Sequence, residues 1–263
     1  HHIHEFRLDG ENVEVEWQKS LNLIASNKGN RFVQMDFSAT PYNVGKNKVK
    51  LYFPHIIVDF DLKAAMKNGL VKALVLDKRS EIGAISDEEL NFNADRDESG
   101  NPILSEGQRI MLRAGLTKLK NLKADFAKLD GEKYPKMLVV CEDTKVTPLV
   151  VDFMRNEGLT DEEVMRVDSD KQGELKAGEW NQLRERLFDI DRHNNPRVIV
   201  SVLMLREGFD VNNICVIVPL RSTSAPILLE QTIGRGLRLM WRGNEYDEIK
   251  LENRTLISQG KTP

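Results

Sequence analysis

Apolar residues recur along the chain with two different periods, and the switches between them mark its elements. In residues 12–26, "NVEVEWQKSLNLIAS", Val15, Leu21, Leu23 and Ile24 fall at roughly helical spacing; "NKGN" ends that pattern and "RFVQMDF" reads as a strand running into "SATP". Beyond Tyr52, "PHIIVDFDLKAAMKNGLVKALVLD" reads as strand, helix and strand. The pattern lapses between Glu81 and Pro102, where seven acidic residues face the single Arg96 and "SGNP" signals a turn, as in an exposed insertion or linker. A long helix is expected over Ser105 to Leu129. Ile110, Leu116, Leu119, Leu122, Phe126 and Leu129 form its apolar stripe, and Arg109, Arg113, Lys118, Lys120, Lys123 and Lys128 make the remainder basic. That basic face reads first as a solvated surface and second as a contact to a DNA backbone.

From Lys136 onward the two periods alternate regularly. "KMLVVC", "EVMRVDS", "RVIVSV" and "CVIVPL" read as strands, while "KVTPLVVDFMRNEG", "LKAGEWNQLRERLFDI" and "APILLEQTIGRGLR" read as helices, the first closed by Gly158. Short strands alternating with longer helices imply parallel pairing through right-handed crossovers, so the C-terminal half is expected to be a doubly wound α/β domain. Its working loops should lie beyond the carboxyl ends of the strands.

Composition narrows the function classes. The chain has 263 residues, 40% hydrophobic and 30% charged, enough for one large or two modest domains with a real core. Its formal net charge of -3 removes any global basic signature, so a nucleic acid would have to be met by local patches or backbone amides. Cys141 and Cys215 lie inside apolar runs and read as buried thiols rather than a disulfide, which points to the cytoplasm. No apolar stretch reaches membrane-spanning length and no signal-peptide pattern opens the chain, so no membrane partner is expected. The opening "HHIHEF" is open to three readings: a metal cluster, a tag remnant, or the tail of a motif.

Three loops carry candidate chemistry. "SATP" at Ser38, Ala39, Thr40 and Pro41 is either a Ser/Thr turn before proline or a hydroxyl pair linking two sites. "SVLMLREGFDV" sets Ser201 at a strand end and flanks Gly208 with Glu207 and Asp210, carboxylates suited to ribose hydroxyls, although an ordinary acidic turn has the same composition. "QTIGRGLR" is less easily explained by structure alone. Arg235 and Arg238 stand three apart, with Gly234 and Gly236 beside the first, and a planar guanidinium beside glycine suits phosphate oxygens.

In this order the three loops resemble motifs III, V and VI of superfamily-two helicases and translocases, and most resemble the Res subunit of type III restriction enzymes, where an "EGxDV" loop precedes an "EQxxGRGLR" helix. "HHIHEF" is similar to the tail of that family's acid box. The resemblance implies two RecA-like domains closing on ATP and Mg²⁺, with double-stranded DNA lying across both and a methyltransferase subunit as partner. It implies residues 1–77 as the end of the first RecA-like domain, 78–134 as the acidic insertion and basic helix, and 135–263 as the second domain. By position, Ser38, Ala39 and Thr40 would couple ATP state to strand movement, and Glu207, Gly208 and Asp210 would meet the nucleotide near its ribose. Gln231, Arg235 and Arg238 would serve catalysis, and Ser201 would face the nucleic-acid backbone. No metal ligand is assigned. The chain carries no G-x-x-x-x-G-K-[ST] phosphate loop, so it reads as a fragment of such a motor, with no cofactor expected on the fragment itself. "SQGKTP" at 258–263 is a chance match, because Thr255 stands five before its glycine. Another superfamily-two helicase, acting in repair or on RNA, and a non-catalytic nucleic-acid-binding module are the alternatives.

Overall fold

The computed structural model describes residues 16–27, 31, 33, 35, 37, 42–44, 49–53, 55–75, 92–167, 190–202, 211–220 and 232–261. The chain divides into two compact units, His1–Asp59 and Phe60–Pro263.

In the first unit, helix α1 spans Glu16–Asn27, close to the helix expected from the spacing of its apolar residues. Strands β1 (Tyr42–Val44) and β2 (Lys50–Tyr52) pair antiparallel with Tyr42 opposite Tyr52. The two rings lie 5.4 Å apart, and the Lys50 ammonium sits 4.1 Å over the Tyr42 ring. The strand expected at "RFVQMDF" is not found at its described positions: residues 31, 33, 35 and 37 are outside any sheet, and Val33, Met35 and Phe37 are exposed. Alternation supplies a candidate strand, but a partner strand has to satisfy its backbone.

The second unit opens with α2 (Leu62–Lys67), capped by Asp61, whose carboxylate accepts from the Ala64 amide at 2.6 Å. Residues 55–61 and 71–75 on either side form no strand, against expectation. The acidic stretch also ends differently from an exposed linker. Strands β3 (Asp95–Arg96) and β4 (Pro102–Ile103) form a short hairpin whose turn is held by Asp97 Oδ1, which accepts from the Ser99 and Asn101 amides. Ala94 and Leu104 anchor its base in the core.

Helix α3 (Glu106–Leu129) lies one residue inside the expected span, with Ser105 as N-cap and Gln108 completing a capping box. Its buried face is Gln108, Leu112, Gly115 and Leu119, while Leu129 at the end of the expected stripe is half exposed. Gly115 is required by close approach: a Cβ there would stand 2.7 Å from Val218 Cγ2 and 3.0 Å from Met137 Sδ.

The core of this unit is one parallel sheet of β5 (Lys136–Cys141), β6 (Val164–Val167), β7 (Val198–Ser201) and β8 (Ile214–Leu220), in spatial order β6-β7-β5-β8. Each strand matches an expected one, and the α/β class holds. Helix α4 (Val146–Asn156) joins β5 to β6 and is closed by Gly158 at φ 93, as its sequence indicated. Alternation splits the sheet's side chains cleanly. Met137, Val139 and Cys141 face Leu112, Leu119, Val150 and Met154 of α3 and α4, whereas Leu138 and Val140 join Met165, Val167, Ile199, Val211 and Ile214 on the other face. Helix α5 (Asp247–Ser258) near the chain end had no counterpart in the sequence reading. Gly260 (φ 71) and Lys261 close it by donating to the Ile257 and Leu256 carbonyls, so "GK" here ends a helix, whereas a phosphate loop begins one.

Candidate nucleotide and nucleic-acid site

Because the four strands are parallel, their carboxyl ends share one edge of the sheet. Val140 of β5 and Val167 of β6 lie in register with Ser201 of β7, and Cys141 lies level with Leu220 of β8. Ser201 therefore stands at the expected place, on the edge where connecting loops gather, and it is buried at 2% exposure. Glu142 and Asp143 follow β5 on the same edge. Arg96 from the hairpin approaches both, at 3.5 and 3.9 Å, and the Asp143 carboxylate accepts from the Lys145 and Val146 amides at the start of α4. Glu207, Gly208 and Asp210 lie outside the described residues, bracketed by Val202 at the end of β7 and buried Val211 ahead of β8. Ser38, Ala39, Thr40 and Gln231 also lie outside them.

The arginine motif is described from Thr232 onward. Residues 232–236 are helical, Leu237 N–H closes the turn on the Gly234 carbonyl, and Thr232 and Leu237 are buried. Arg235 and Arg238 are both half-buried, and the Nε of Arg235 is fully enclosed. The two glycines differ. A Cβ on Gly236 would meet Ile217 Cδ1 at 2.7 Å, so this glycine lets the helix end settle on β8, whereas Gly234 is exposed with open space beside it.

A residue that sequence reasoning missed holds this segment. Lys72 Nζ donates to the carbonyls of Asn212 (2.6 Å), Ile214 (2.8 Å) and Gly236 (3.0 Å), and its amide donates to the Leu237 carbonyl at 2.7 Å. Burial pulls this ammonium below the usual lysine range, while Cys215 beside it pulls the other way. The same burial raises the Cys215 thiol. The signal was a lone lysine inside the apolar run "LVKALVL". A second buried cation, Lys136 at the start of β5, donates to the His193 and Asn194 carbonyls and is pushed down to about 8 by burial, against the pull of Asp191. Asp191 in turn accepts from the Asn212 and Asn213 amides, which fixes the entry to β8.

On α3, the basic residues are partly engaged within the chain. Arg113 pairs with Glu157 at 2.8 Å and lies over the Phe153 ring, Arg109 donates to the Leu104 carbonyl, and Lys128 meets Asp125. Lys120 is exposed. Among the described residues no group of three or more His, Cys, Asp or Glu side chains could hold a metal ion, and no helix is long and apolar enough to cross a membrane.

No family model matches the chain, and no curated protein matches it. Among solved structures it is similar to the "Mss116p DEAD-box helicase domain 2 bound to an RNA duplex", at a TM-score of 0.36 and 16% identity. That match covers 51% of this chain and 48% of the other, about half of each.

Proposed function

We propose that this chain is part of an ATP-dependent nucleic-acid motor of the superfamily-two type, with residues 135–263 as its second RecA-like domain and 1–77 as the end of the first. The finer reading is a cytoplasmic Res subunit of a type III restriction enzyme, moving on double-stranded DNA beside a methyltransferase subunit. The observation that carries the proposal is "GRGLR" following the edge strand of a parallel α/β sheet, its glycine packed on that strand and both arginines half-buried.

Phosphoryl transfer spreads negative charge over the equatorial oxygens of the transferring group, and catalysis is mostly positioning and charge neutralisation. Arg235 and Arg238 supply that charge from a fixed helix end, and the planar fork of each matches phosphate oxygens. The guanidinium pair fits a triphosphate. Among the described residues no cluster of carboxylates or histidines fits Mg²⁺, which would offset charge on the phosphates, and the sequence carries no G-x-x-x-x-G-K-[ST] phosphate loop. Glu207 and Asp210 would accept from ribose hydroxyls, Gln231 would orient the nucleotide, Ser38 and Thr40 would couple its state to strand movement, and Ser201 would meet the nucleic-acid backbone.

The test is to replace Arg235 or Arg238 with alanine in the ATP-hydrolysing protein that carries this chain. Hydrolysis should slow by roughly 10³ to 10⁵, the worth of an arginine finger, with nucleotide and DNA affinity nearly unchanged. Arg235→Lys should recover only part of the rate. A variant with normal kcat and weakened DNA binding would instead support the non-catalytic binding module. Parallel titrations with duplex DNA and duplex RNA decide the substrate.

A further inference from the structure

We infer that Lys72 is a positioning residue for the arginine motif, an ammonium staple that ties the helix end carrying Arg235 and Arg238 to the entry of β8. The inference rests on the proposed motor reading and adds a residue to it. An ammonium has three protons, and the geometry gives each a carbonyl: Asn212 and Ile214 at the start of β8, and Gly236 between the two arginines. The Lys72 amide adds a fourth tie, to the Leu237 carbonyl. These carbonyls belong to two segments far apart in sequence, so one side chain fixes their separation. Asn212 is the second residue after Asp210, and Gly236 directly follows Arg235. Lys72 thereby links the strand entry behind the acidic loop to the residues flanking both arginines.

The position also suits a cation. Gly236 ends the helical segment, and carbonyls at a helix end carry partial negative charge. Gly236 settles on Ile217 on one side and accepts from Lys72 on the other, so the backbone between the arginines has little freedom to drift. A misplacement of about 1 Å can cost about 10²-fold in rate when catalysis depends on orientation.

A double-mutant cycle on ATP hydrolysis in the active protein tests this. Lys72→Met should lower kcat by about 10²-fold with little change in the KM for ATP, and Lys72→Arg, which keeps a cation at the helix end, should fall between it and wild type. Because Lys72 holds the backbone between both arginines, the Lys72→Met loss should shrink well below about 10²-fold in the Arg235→Ala background, what is left being its effect through Arg238. Multiplied rate losses, or an effect on KM alone, would overturn the inference. Should Lys72→Met fail to fold, the same cycle with Lys72→Arg decides. An Arg235→Ala protein with wild-type kcat would instead sink the finger assignment, and the positioning role with it.

Discussion

The same substitution at two glycines should change stability in opposite directions. At Gly115 an added methyl gains the helix preference of alanine over glycine, about 1 kcal/mol. It also stands 2.7 Å from Val218 Cγ2 and 3.0 Å from Met137 Sδ, with Val218 and Met137 both buried. Methionine can swing aside, but a β-branched valine on the sheet has a strongly preferred rotamer and little room to leave it. Overpacking costs typically 1–3 kcal/mol, and a valine that cannot move puts this site in the upper part of that range, about 2–3 kcal/mol, so Gly115→Ala should lose roughly 1–2 kcal/mol net. For a unit the size of residues 60–263, that lowers Tm by about 2–8 °C. Gly234 is also helical but has nothing within 4 Å of its added Cβ, so Gly234→Ala should gain up to about 1 kcal/mol. Urea titrations followed by far-UV circular dichroism, with the slope m checked for constancy, measure both. If Gly115→Ala melts at or above wild type, α3 does not approach the sheet as closely as described.

Three further outcomes follow from single contacts. Ser105→Ala removes the N-cap of α3 and half of its capping box and should cost about 1 kcal/mol in the same titration, with Ser105→Asp retaining most of it. Lys136 has a folded-state pKa near 8, below its unfolded value, so the unfolded chain holds more protons between these values; stability should rise from pH 8 to about pH 10.5, and Lys136→Met should flatten that slope relative to wild type. If α3 and Ser201 contact a nucleic-acid backbone, affinity for labelled duplex should be indifferent to sequence and fall steeply with salt; salt-insensitive binding returns the basic face of α3 to solvent.

What was legible in the sequence depended on how local its cause was. β5 reads directly from "KMLVVC", because a strand buried on both faces between two neighbours must be apolar at nearly every position. Gly158 announced the end of α4 through capping chemistry confined to one turn, whereas Ser105, read as the first residue of a helix, is the N-cap just outside α3. "RFVQMDF" alternates as well as any strand, yet pairing depends on a partner that alternation does not specify. The stripe on α3 was placed partly off its true buried face because Gly115 and Gln108 contribute there. Glycine is absent from a hydrophobic count, and Gln108 is buried through its bond to the Phe92 carbonyl. Within the site, Arg235 and Arg238 stood out because two cations beside glycine are unusual in a helix. Lys72 was hidden because its three partners lie roughly 140 to 165 positions away, at separations no local pattern reports.

The order β6-β7-β5-β8 also sets a timetable for the nascent chain. β5 is the first of the four strands to leave the ribosome, yet it occupies the middle of the sheet, and its partners come much later: Met137 pairs with Val198 and Val216. At about 5–20 residues per second, the sixty or so positions before β7 take on the order of 3–12 s to synthesise, and through that interval an apolar strand has neither neighbour. The element made just before it is α3, whose Leu112 and Leu119 pack against the face bearing Met137 and Val139. An early helix laid over an unfinished strand acts as a built-in holdase for one side of it, and leaves Leu138 and Val140 on the other side waiting for Ile199 and Ile214.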